Sequence, residues 1–285
     1  MATTFDHARR RSAFRRLANA ERELLPLEEA TERLKPFERR HVGLRTIAVA
    51  QIVGTEGRAT DFDRDFLPRR PEIGPRWRRV EEAFPEGDFP PIVVYLLGDA
   101  YFVIDGHHRV AIARQRGTEM IDADVTELRA RWHLPANADI VELIHAQQER
   151  IFMEDSGLDR ALPQLRLRVS RPSGYLELLE NIQIHGYHLM LDANRVLERG
   201  EIARHWYETQ FRPAGDAIRD DRGELFCRNA TDADLFLWAY RQRRELVPER
   251  GCFALAEVPA KVRERKNAQR GLRALVRPLF RARTA

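Results

Sequence analysis

Cysteine is scarce in this chain: only Cys227 and Cys252 occur among its 285 residues. They make neither a metal-ligand pair nor a disulfide framework, so the expected compartment is the reducing cytoplasm. Long apolar runs are missing too. No stretch of eighteen apolar residues occurs, so no membrane span is expected. The opening Met1-Ala-Thr-Thr-Phe-Asp-His7 lacks the apolar core of a secretory signal. Aromatic residues make up 8% and are not interleaved with the arginines at the chain ends, which gives no sign of base stacking there. No internal repeat is present.

Apolar residues supply 43% of the chain and charged residues 32%. That composition suits a globular protein with a highly charged surface, at a length sufficient for one large or two ordinary domains. The net charge is +4, and its distribution says more than its sum. Arg9, Arg10, Arg11, Arg15 and Arg16 crowd the first segment. Lys261, Arg263, Arg265, Lys266, Arg270, Arg273, Arg277, Arg281 and Arg283 crowd the last, against only Glu264. Basic ends could hold nucleic acid or an anionic surface. A solvated arginine-rich tail is the plainer reading.

Periodicity predicts a basic helix over 8–36, a β-branched strand over 42–53 and an irregular loop over 54–74. A loop of that length inside a domain is functional or disordered more often than not. A short helix is expected at 75–84, with Pro75 at its first position. Strands follow at 91–97, 100–105 and 119–126, then a connector over 127–138 and a helix from about 139. Leu165-Arg-Leu-Arg-Val-Ser170 alternates apolar and basic residues and reads as a strand. Helices are expected at 174–192, 194–209, 231–247 and 257–275. Trp206, Tyr207, Phe211, Leu235, Phe236, Leu237, Trp238 and Tyr240 are the expected packing residues, and Thr231 the cap of the third of these helices.

The most informative run is Tyr101-Phe-Val-Ile-Asp105-Gly106-His107-His108-Arg109, which leads into an apolar-periodic helix that stops at Gly117. Glycine lets another group approach the backbone closely. The first turn of a helix offers unpaired N–H groups and a positive dipole end, which favour an anion. Arg109 adds a fork that fits phosphate oxygens. Strand, Asp-Gly, His-His-Arg, helix is therefore a candidate phosphate seat with an acid beside it.

This box resembles the signature of the ParB/sulfiredoxin superfamily, whose members carry a Gly-x-[Arg/His]-Arg box at a strand-to-helix turn. Leu44–Val53 resembles the family's first strand, Phe89-Pro-Pro-Ile-Val-Val-Tyr-Leu-Leu97 its second, and Thr118–Val125 the closing strand. The resemblance covers roughly residues 42–128. It implies an α+β protein: an N-terminal basic helix (1–41), a small mixed-sheet domain (42–128), a mainly α-helical domain (129–260) and a basic tail (261–285). The helical part resembles an uncharacterised bacterial domain with a Trp-Tyr motif and a later Asp-Leu-[Phe/Tyr]-Leu-Trp motif.

In this superfamily partition proteins hold cytidine triphosphate with the box. Free-serine kinases use a box close to this one for phosphate transfer. Sulfiredoxins carry their catalytic cysteine where this chain has His107, so that activity is not expected. The resemblance therefore implies a nucleotide ligand (ATP, ADP or CTP) with Mg2+. It implies binding through Gly106, His107, His108, Arg109 and Arg58, and a phosphotransferase or nucleotide-hydrolase activity with Asp105, Glu56 and His108 as candidate catalytic groups. Glu56 and Arg58 sit in the loop that faces the box in the family. Plainer roles stand beside these: Asp105 as a helix cap, Arg109 in a salt bridge, Glu56 in an exposed turn. The alternative function is a DNA-associated partition-like or regulatory protein with the box as nucleotide switch, although no clear helix-turn-helix follows residue 128. Asp61, Asp63 and Asp65 lack the glycine and terminal glutamate of a calcium loop. His185, His188 and His205 read as a packed cluster and not as a metal site.

Overall fold

The computed structural model describes residues 4–17, 23–84, 88–220, 230–250 and 253–268. They fall into two compact units, Met1–Arg150 and Ile151–Ala285. The first is a mixed sheet with helices; the described part of the second is helical. No helix among the described residues is long and apolar enough to cross a membrane.

In the first unit six strands form one mixed sheet: β1 (Leu25–Pro26), β2 (Glu38–Ala48), β3 (Ile52–Thr55), β4 (Ile92–Leu97), β5 (Ala100–Asp105) and β6 (Met120–Arg129). Their spatial order is β1-β3-β5-β4-β6-β2. β5 lies antiparallel to β4 and parallel to β3. It is thus an interior strand that buries Phe102 and Val103, in keeping with the near-continuous apolar run of a strand covered on both faces. The helices of this unit are α1 (Thr4–Leu17), α2 (Leu27–Leu34), α3 (Gly74–Ala83) and α4 (His107–Arg116), with α5 (Ile140–Ser156) containing the division between the units. A core cluster joins Phe5 and Ala8 of α1, Trp77 of α3 and Val110, Ile112 and Ala113 of α4 to the sheet.

Three expectations change here. The helix read over 8–36 is two helices with a short strand between them. Pro26 disfavours helix at Leu25, which pairs instead with Gly54; α2 then buries Leu27, Ala30 and Leu34 along one stripe. The strand read over 42–53 is also two. β2 starts at Glu38, and a 3-10 turn at Val49–Gln51 carries the chain to β3, which lies elsewhere in the sheet. No glycine or proline marks that turn, so the apolar run hid it. The 54–74 loop is packed: Phe62, Phe66 and Leu67 are buried to within 1%. The Asp63 carboxylate accepts the Asp65 and Leu67 N–H groups at 2.9 and 2.8 Å and fixes its turn.

The second unit contains α6 (Leu158–Ala161), α7 (Gly174–Ala193), α8 (Arg199–Trp206), α9 (Arg212–Asp220) and α10 (Asp232–Arg250), followed by α11 over 258–268. A π turn, Tyr207–Phe211, joins α8 to α9. Trp206, Phe211 and Phe236 meet with ring centroids 5.2–5.3 Å apart, and Trp206 Nε1–H donates to Asn181 at 2.6 Å. Thr231 caps α10 as expected, accepting the Asp234 N–H at 3.2 Å. Leu165–Ser170 is not a strand. Its alternation is real, since Leu167 and Val169 are buried between exposed arginines, but alternation reports which side chains face inward and not that a neighbouring strand exists. The helix read over 194–209 starts at Arg199, where Glu198 and Glu201 form a capping box. Cys227, Cys252 and the helix read beyond 268 lie outside the described residues.

Candidate functional site

Where β5 ends at Asp105 the chain must leave the sheet and enter α4. Gly106 makes that turn at φ 102° and ψ 17°, a left-handed conformation. A Cβ on it would stand 2.5 Å from Ile92 Cγ2 and 3.1 Å from Arg109 Nε. Glycine is therefore required by both backbone and space. Gly106 is the N-cap of α4, and no side chain caps the helix. Asp105 thus does not cap it. The first intrahelical bond is Val110 N–H to Gly106 O, 3.0 Å; the amides ahead of it are those a helix leaves open.

The two histidines point apart. His107 is 5% exposed; its Nε2 lies 2.6 Å from Thr55 Oγ1, and its ring stacks on Phe62. His108 meets Phe62 edge-on, and its buried Nδ1 has no hydrogen-bond partner among the described residues. Burial, then the charge of Arg58, then that of His108 push the His107 pKa down to about 4. Burial, Arg58 and Arg76 do the same to His108. Both rings are neutral at pH 7, able to donate or accept a hydrogen bond but not to act as cations.

Arg109 is engaged by protein. Its NH1 donates to the Pro90 and Pro91 carbonyls at 2.7 and 2.8 Å, and its NH2 to Asp105 Oδ2 at 2.5 Å. It ties the start of α4 to the segment entering β4. Arg114, lower on α4, donates to the carbonyls of Arg64, Val49 and Ile52 at 2.8, 3.1 and 2.7 Å. Burial lowers its pKa to about 10, which leaves it cationic at pH 7. These two tethers fix the direction of α4.

The box faces a cleft of about 480 Å³. Asp105, Gly106, His107, His108 and Arg109 form one wall; Arg58, Asp61 and Arg70 of the packed loop and Arg76 of α3 form the others. Asp61 stands between Arg58, at 3.3 Å, and Arg70, at 3.7 Å. Arg76 has no hydrogen bond or ion pair among the described residues. Glu56 is exposed and does not line the cleft. The loop sends Asp61 into it instead. The structure thus gathers Arg58, Asp105, Gly106, His107, His108 and Arg109 and leaves Glu56 outside. Asp61, Arg70, Glu72 and Arg76 were not singled out for this site from sequence. The only signal for the first two was the length of their loop, which does not say which charges turn inward.

Among the described residues no group of three or more His, Cys, Asp or Glu side chains could hold a metal ion. In the second unit His185 Nε2 and His205 Nδ1 lie 2.9 Å apart with stacked rings. No protein-family model, curated protein or solved structure matches the chain.

The histidine environment gives a pH prediction. With a folded pKa near 4 and an unfolded value of 6.5, His107 binds fewer protons folded than unfolded between those values. Its contribution to stability is whole above pH 6.5, falls as pH drops and is lost by about pH 4, a change on the order of 3 kcal/mol. His107→Gln, which keeps a donor toward Thr55, should flatten the fall of melting temperature between pH 7 and pH 4.5. An equally steep fall in the variant would place the acid sensitivity elsewhere.

Proposed function

We propose that the cleft before α4 binds the phosphate groups of a nucleotide, and that the first unit is a ParB/sulfiredoxin-like domain serving this purpose. The observation that carries the reading is convergence. The uncapped N-terminus of α4 and Arg58, Arg70 and Arg76, supplied by two separate stretches of chain, line one cleft. Open amides with a positive helix end and guanidinium forks are the two devices proteins use most for phosphate oxygens.

Asp61 and Asp105 carry the hard oxygen donors that Mg2+ prefers alongside phosphate oxygens. A bound Mg2+ would neutralise phosphate charge there. Should the cleft also transfer or hydrolyse phosphate, Asp105 and the neutral His108 are wall residues able to accept a proton, as are Asp61, Glu72 and His107; Glu56 lies outside the wall.

The test is thermal stability with ATP, ADP, CTP and GTP, with and without Mg2+. Ligand at 100 times its dissociation constant stabilises by about 2.7 kcal/mol, and Arg76→Ala should remove most of that shift. No shift from any of the four would end the reading. A DNA-binding role rests on Arg9, Arg10 and Arg11, which stand exposed on α1. A steeply salt-dependent affinity for duplex DNA, lost on their replacement, would favour it.

A further inference from the structure

We infer that Asp61 is a built-in stand-in for the ligand. Its carboxylate occupies the oxyanion position between Arg58 and Arg70, and an incoming phosphate must displace it from both. This rests on the phosphate-binding reading above and gives that site its restraint.

The two carboxylate oxygens are divided between the two arginines. Oδ2 faces Arg58 NH1 at 3.3 Å, and Oδ1 faces Arg70 NH1 at 3.7 Å. A phosphate meets two guanidinium forks in the same divided way. The contacts are loose. Charge-assisted N–H···O bonds run at about 2.7–2.9 Å, so neither arginine is held at full strength and each can close on a better acceptor. The Arg58 and Arg70 side chains are 52% and 57% exposed, against 20% for Asp61. The cations have room to rearrange; the carboxylate has little.

Main chain, more than these ion pairs, puts Asp61 where it is. Its N–H donates to Arg58 O at 3.1 Å, and its carbonyl accepts the Arg69 N–H at 2.8 Å. The next residue, Phe62, has no exposure and stacks on His107. The fold of the loop therefore sets the carboxylate into the cleft. Both histidines of the box feel it: the charge of Arg58 lowers the pKa of each, and that of Asp61 raises it.

The other carboxylates of the cleft have different settings. Asp105 is bound to Arg109. Glu72 makes no ion pair among the described residues. Asp61 alone of the three engages two of the cleft arginines proposed for phosphate. It opposes an anion twice, by repelling it and by occupying its partners. Arg76 carries no such competitor and is the cation that an anion can meet first. Once displaced, the Asp61 carboxylate is the oxygen donor left to meet a Mg2+ that accompanies the phosphate, so the test leaves Mg2+ out.

Titration calorimetry of the full chain with ATP and with inorganic tripolyphosphate, in Mg2+-free buffer, reads the effect. Asp61→Asn keeps the size of the side chain and the main-chain bonds of the loop. It should tighten both probes by about tenfold or more, since a repelling charge goes and two arginines are released. Asp61→Ser should act in the same direction, with no amide left to bridge the arginines. Glu72→Gln is the control. It removes a negative charge from the same cleft but releases no arginine, so its gain should stay within about threefold. Binding that both Asp61 variants weaken or leave unchanged would overturn the inference and leave phosphate binding standing; Asp61 would then only hold the arginines in place. A gain from Glu72→Gln equal to that from Asp61→Asn would reduce the effect to net charge and overturn it too. No binding of either probe by the parent chain or by any variant would sink the phosphate-binding reading itself.

Discussion

Arg109→Ala is expected to lower the stability of the folded chain by about 2–4 kcal/mol, seen as an earlier unfolding transition in urea. The guanidinium is mostly buried, its side chain 15% exposed, and makes bonds to two main-chain carbonyls and a carboxylate. Bonds to charged groups are individually worth about 1.5–3 kcal/mol, and truncation leaves the acceptors unpaired. The carboxylate bond counts for less, because the Asp105 side chain is 70% exposed and water screens the pair. Arg109→Lys should recover little, since one ammonium cannot span three acceptors held in a fork. Arg76→Ala is the contrast: with no bond to lose, it should change stability by no more than about 0.5 kcal/mol while weakening phosphate binding. Were Arg109→Ala to unfold like the parent protein, the tether between α4 and the segment entering β4 would carry no energy.

That contrast also measures what could be read without a structure. The box was legible because each local signal agreed. An apolar run, an Asp-Gly turn, an apolar-periodic stretch and a closing glycine all specify strand, sharp turn and short helix, and β5, Gly106 and α4 follow them within a residue. The partner of the arginine was not legible. Arg109 sits in the box by sequence, yet Pro90 and Pro91, 19 and 18 residues earlier, bring their carbonyls to it. Nothing in residue type distinguishes an arginine awaiting phosphate from one already bound to main chain. The loop failed in the same way. Glu56 and Asp61 are both acids in one irregular segment. Asp61 turns into the cleft once Phe62, Phe66 and Leu67 have anchored the loop in the core.

The helix boundaries failed for a different reason. Pro26 divides the run over 8–36, because a proline restricts the residue before it; apolar recurrence continues across the break and masks it. The turn at Val49–Gln51 carries no such mark. Its position is set by sheet topology, which requires the chain to leave β2 and join β3 on the other side of β5, β4 and β6.

Gly106→Ala should be the most damaging single substitution in the box. Two costs add. A side chain in the left-handed region costs about 1–3 kcal/mol, and φ is 102° here. The new methyl would also stand 2.5 Å from Cγ2 of Ile92, a residue with no exposure. Neither backbone nor β4 can yield without moving the box, and overpacking of this kind costs a further 1–3 kcal/mol or so. Gly117→Ala is the internal control. It closes the same helix at φ 73°, but a methyl there would meet nothing within 4 Å, so it should lose only about 1 kcal/mol or slightly more. Equilibrium unfolding of the two variants separates conformational cost from steric cost. A clear excess for Gly106→Ala would show that the glycine is needed for the close approach of the start of α4 to Ile92 of β4. Equal losses would mean that Ile92 can yield and that the left-handed turn alone demands glycine.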